Sequence, residues 1–187
     1  MKSSDPRGEG IDLEEAFFAK ENARVLQEMR AKTETEERRA MLQRVVGIQD
    51  EAFLDRLILL GIGPETAMAL RLIPLVTVAW ADGHMDDRER DAILSAAREQ
   101  GLVVEETAQQ VLRDWLEQKP DPRLLSLWKD YVGHIWSHLS DDERLQMRQT
   151  LLTTAEEVAS AAGGFLGMSK ISAPEQEVLE ELKSVLR

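Results

Sequence analysis

The sequence predicts an all-α protein, a compact bundle of about eight to nine helices that contains a duplicated helical hairpin. Apolar residues recur at helical spacing along most of the chain, and no useful run alternates with the period of a strand. Leu, Ala, Glu and Arg are abundant, while aromatics make up only 5% of the residues, a balance that favours helix. Glycine and proline divide the pattern into helix-sized pieces.

The elements follow in order. Residues 1–10, rich in Ser, Asp, Pro and Gly, read as a flexible tail. From residue 11 to about 30, Leu13, Phe17, Phe18, Val25, Leu26 and Met29 mark a first amphipathic helix. Thr33 and Glu36 have the spacing of a capping box and predict the start of a second helix, which carries Met41, Leu42, Val45 and Val46 and stops at Gly47. A third runs from Asp50 to Leu60 and stops at Gly61. Pro64 is a suitable first residue for a fourth, which extends to about Asp82 and is kinked at Pro74, where one backbone bond is lost. A fifth spans residues 86–100 and ends at Gly101. Residues 105–118 follow, then a turn at Pro120-Asp121-Pro122, then helices over 123–138, 140–162 and 172 onward. Gly47-Ile48, Gly61-Ile62 and Gly101-Leu102 share one grammar. A left-handed glycine ends the helix and the next apolar residue folds back onto the last turn.

Two segments repeat this grammar at length. Val78-Ala79-Trp80-Ala81-Asp82-Gly83 matches Val158-Ala159-Ser160-Ala161-Ala162-Gly163, and Met85-Asp86-Asp87-Arg88-Glu89 matches Ile171-Ser172-Ala173-Pro174-Glu175. Each unit is a helix, a glycine stop, an apolar residue, a capping box and a second helix. Two such hairpins can bury their apolar faces against each other. The second connection is the longer and holds the apolar stretch 163–168, read as a long turn or a docking flap.

Composition excludes several functions. The chain of 187 residues has 23 basic and 35 acidic side chains, a formal net charge of −12, and no cysteine. An acidic chain without basic clusters is unsuited to nucleic acid. The lack of cysteine removes disulfides, thiolate nucleophiles and Cys-type zinc sites. No apolar run is long enough to span a membrane, and the polar start carries no secretory signal. Partners are expected to be other proteins. No phosphate-binding loop, nucleophile elbow or Glu-x-x-His pair occurs, so no enzymatic role is expected.

The acid excess is spread along the chain, as on ordinary helix surface, with one concentration: five acids fall between Asp82 and Asp91. A tight hairpin brings Asp82 and Glu89 towards each other, with Asp86 nearby and His84 the only local nitrogen donor. Oxygen donors of this kind suit Mg²⁺, Ca²⁺ or Mn²⁺. The spacing is not that of an EF-hand, because Asp87 and Ile93 stand where Gly and Glu are needed. Local capping accounts for the same residues: Asp86 as N-cap, Glu89 as its partner at N3, and Gly83 as the helix stop. Both readings stand at this level. His134 and His138 share a helix face but lack a third zinc ligand. Trp80, Trp115, Trp128 and Trp136 are expected in the core, or in a partner groove if exposed.

The segment from Val78 to Glu89, with Ala81-Asp82-Gly83 at its centre and Met85 and Glu89 following, resembles the signature of the TerB-like family of tellurite-resistance proteins. The resemblance covers residues 64–187 and includes the repeated hairpin. The chain is thus read as the tail (residues 1–10), an N-terminal helical region (residues 11–62) and a TerB-like domain (residues 63–187), the last two forming one compact unit. The resemblance implies a compact all-α fold, a bacterial cytoplasmic setting, a link to stress response, and a divalent cation held by acidic residues, here Asp82, Asp86 and Glu89 with His84. A related domain in a membrane-tethered co-chaperone keeps a metal-free adaptor as the alternative. The second repeat departs from the pattern: Ala162 stands in the place of Asp82, and Ser172 in that of Asp86.

Overall fold

The computed structural model describes the backbone of residues 6–101, 106–161 and 171–187, with side chains from residue 20 onward. Among these the protein is all-α, with eight α-helices and no strand: α1 (Pro6–Val46), α2 (Glu51–Leu59), α3 (Ile73–Ala79), α4 (Asp87–Glu99), α5 (Glu106–Glu117), α6 (Arg123–Trp136), α7 (Asp141–Ala161) and α8 (Ala173–Val185). The apolar stretch 163–168 and Leu102 lie outside the described residues.

The helix ends obey local chemistry. Asp50 caps α2, its carboxylate accepting from the Phe53 N–H at 3.0 Å. Gly61 takes a φ of +81° after α2. The Ile62 N–H then reaches back to the Leu57 carbonyl at 2.9 Å, and Ile62 is fully buried, as the expected Schellman turn requires.

Two expectations about the first half are corrected. The helices expected on either side of Thr33 are one continuous helix of 41 residues, which also takes in residues 6–10. No glycine or proline separates them, so Thr33 is not a cap. Its hydroxyl donates instead to the Met29 carbonyl one turn back at 3.0 Å, and Thr35 does the same to Ala31 at 2.8 Å. Nor is there one kinked helix from Pro64 to Asp82. Residues Ala67–Leu72 form a 3-10 helix, and Pro74 lies in the first turn of a separate α3. Proline has no N–H to give to the preceding turn and is tolerated only near a helix start, so the regular helix begins there rather than continuing through.

The core is one contiguous cluster. It runs from Leu42, Phe53 and Leu57 through Leu70, Ile73, Leu75 and Val78 to Ile93, Leu112, Trp128, Val158, Leu179 and Leu182. α7 packs against α3, α4 and α8, and α3 also meets α6 and α8. The two repeated hairpins, α3–α4 and α7–α8, therefore lie against each other. Trp128 is buried, and Trp80, Trp115 and Trp136 are partly buried against the core. All four tryptophans thus serve packing, and the Trp80 Nε1 donates to the Trp115 carbonyl at 2.8 Å. No helix is long and apolar enough to cross a membrane among the described residues.

Candidate functional site

The acid turn between α3 and α4 is ordered by its own backbone. The Asp82 carboxylate accepts from the His84 N–H at 2.9 Å, closing an Asx-turn, and Gly83 has a φ of +92°. The Asp86 carboxylate accepts from the Arg88 N–H at 2.8 Å, and the Asp86 N–H donates to Glu89 Oε2 at 2.8 Å. The capping box read from the sequence is therefore formed. Asp82, His84 and Asp86 are exposed, whereas Glu89 is 3% exposed.

The second hairpin repeats this start. Ser172 caps α8, its N–H donating to Glu175 Oε2 at 2.5 Å while its hydroxyl accepts from the Glu175 N–H at 3.3 Å. Glu175 is 4% exposed. Packing of the hairpins brings these two N3 positions close enough for the Glu175 carboxyl to raise the proton affinity of Glu89. A capping glutamate needs only one oxygen for its cap.

Two buried carboxyls that act on each other cannot both be ionised cheaply. Burial, first of all, pushes Glu89 up to about 7; the Asp86 N–H opposes the shift, and the hydrogen bond and charge of Glu175 and the charge of Asp82 add to it. Among the described residues no basic side chain is ion-paired with either glutamate. Of the two arginines that flank Glu89 in sequence, Arg90 bonds Asp87 at 2.8 Å and the Leu116 carbonyl. A proton or a cation is what such a pair can hold.

The residues proposed from sequence are thus partly brought together. Glu89 is central and Asp82 is close enough to act on its charge, while Asp86 and His84 stay in the exposed turn. Among the described residues, no group of three or more His, Cys, Asp or Glu side chains gathers as a ready ligand set. Glu175 was missed as a site residue, although its alignment with Glu89 was the available signal. His134 leans on Phe53 with ring centroids 4.9 Å apart and lies 3.6 Å from Asp50, while the His138 ring nitrogen bonds the His134 carbonyl at 3.0 Å. Both rings have structural partners.

A second concave feature lies where α6 and α7 meet α3. It is a cavity of about 390 Å³ lined by Leu75, Trp128, Tyr131, Ile135, Met147 and Leu151, among others, with Arg71, Gln100 and Glu143 at its polar positions.

Compared with protein-family models, curated proteins and solved structures, the chain matches none of them.

Proposed function

We propose that this chain is a non-enzymatic, TerB-like helical module that takes up a divalent cation at the Glu89–Glu175 pair, acting in the cytoplasm in a stress response akin to tellurite resistance. The observation that carries the reading is the convergence of two buried carboxyls without a basic partner. A cation of the Mg²⁺ or Mn²⁺ type suits them, because such ions are held by one or two carboxylates and keep several waters. Asp82 adds negative potential from the exposed side, and Asp86 and His84 are auxiliary. The ion relieves the like-charge repulsion and ties the two hairpins together, so that binding is coupled to the rigidity of the domain.

Calorimetric titration of the apo protein with Mg²⁺, Mn²⁺ and Ca²⁺ tests this. Glu89→Gln and Glu175→Gln are the informative variants, since glutamine still fills the N3 position of a capping box but carries no charge. One site per chain, lost in either variant, is the expected outcome. A wild-type protein that takes up none of the three ions, or variants that titrate like it, would sink the reading.

The cavity beside Trp128 favours a second reading, a metal-free adaptor that seats an apolar segment of another protein among Tyr131, Ile135 and Met147. Here Met147→Glu abolishes partner capture, whereas the glutamine variants leave it intact.

A further inference from the structure

Among the described residues, the middle of α1 is left without a covering partner. Its first buried side chain among the described residues is Leu42, and from Lys20 to Glu37 every side chain but that of Glu21 is exposed. Among the described residues the arm joins the body near its C-terminal end, where Arg39 donates to Asp55 at 2.7 Å and α1 packs on α2 and the 3-10 helix. These 18 residues extend about 27 Å at the usual helical rise. What holds the arm together locally is modest. Arg24 bridges Glu21 and Glu28, and exposed pairs of this kind add little to stability.

Three of the large exposed hydrophobics lie within five residues of this arm: Val25 at 40%, Leu26 at 54% and Met29 at 62% exposure. Asn22, Val25 and Met29 follow the alternating three- and four-residue spacing of a helix–helix seam, with Leu26 beside it. An apolar stripe on an otherwise polar, projecting helix marks a surface meant to be covered.

Charge selects what covers it. Residues 6–46 hold eight basic and nine acidic side chains, while residues 47–187 hold 14 basic and 25 acidic ones. Copies of the body repel one another, but the arm is nearly neutral with both signs interspersed, so two arms can approach without that penalty. A basic partner protein would be drawn to the acidic body instead. We infer that α1 is a self-association arm: Val25, Leu26 and Met29 of one copy pack against the same residues of a second copy about a two-fold axis.

Sedimentation equilibrium across low to high micromolar concentrations tests this on the full chain. The wild type is expected to approach twice the 21.1 kDa chain mass. The double variant Val25→Glu/Met29→Glu should remain at the monomer mass with an unchanged circular dichroism spectrum, because glutamate is a good helix former at exposed positions. Met147→Glu, in the cavity of the body, should dimerise like the wild type. A wild type that stays monomeric at the highest concentration overturns the inference. So does a dimer that survives the double variant, or one that Met147→Glu dissolves as fully.

Discussion

Glu89 and Glu175, eighty-six residues apart in the chain, close the capping boxes of α4 and α8, and both side chains are buried close enough for Glu175 to raise the pKa of Glu89. One pair of residues thus terminates two helices and links two hairpins, and its ionisation becomes a property of the whole domain.

The first consequence is a pH dependence of unusual sign. Most paired carboxylates lose stability on acidification, because their folded pKa is depressed. Glu89 is shifted the other way, from 4.5 up to about 7, so the folded state binds more protons than the unfolded one between those values. Its contribution is fully present below about 4.5 and is lost as pH rises through about 7. Thermal melts of the chelator-treated protein should show stability falling between pH 5 and pH 8, with a slope of at most about 1.4 kcal/mol per pH unit from one proton. Glu89→Gln should remove that component, and an identical slope in the variant would refute the assignment.

Cation and proton compete for the same oxygens. If the ion binds as proposed, titrating Mg²⁺ or Mn²⁺ near pH 6 should release up to about one proton per chain, seen as a binding enthalpy that changes with the ionisation enthalpy of the buffer. Near pH 8, where Glu89 is already ionised, the release should disappear. A release that persists unchanged at both pH values would point to another site.

Truncating the capping glutamates differs from neutralising them. Glu175→Ala removes the acceptor of the Ser172 N–H and should cost about 1–2 kcal/mol, read from urea denaturation. Glu175→Gln should cost less or even stabilise the metal-free protein, as it relieves the repulsion. If Ala and Gln variants have equal midpoints, the cap is not what Glu175 contributes.

The attachment of α1 rests on Leu42, whose side chain is fully buried. Leu42→Ala should destabilise the fold by about 2–5 kcal/mol, whereas Met29→Ala, out on the arm, should leave the unfolding midpoint of the monomer nearly unchanged. Chemical denaturation at low protein concentration checks both.

Gly61 isolates a backbone effect. A Cβ there would meet nothing within 4 Å, yet φ is +81°. Gly61→Ala should therefore cost about 1–2 kcal/mol through conformation alone, and Gly61→Asn should cost less. Equal melting of wild type and alanine variant would count against the left-handed turn.

Local sequence signals were enough for the all-α class, most helix ends and both capping boxes. Asp86 and Glu89, Ser172 and Glu175, and Gly61 with Ile62 act within five residues of one another, so spacing alone carries their geometry. Where competing local signals met, it misled. The Thr33–Glu36 spacing looked like a cap, but with no glycine or proline to stop the preceding turns the helix ran on, and Pro74 opened a helix rather than bending one. It is packing between distant helices that couples Glu89 to Glu175 and leaves Asp82, Asp86 and His84 in the exposed turn. That coupling depends on how α3–α4 packs on α7–α8, and packing of distant apolar faces is not written in any local window. The same packing buries both carboxyls, and burial is the main cause that raises the proton affinity of Glu89.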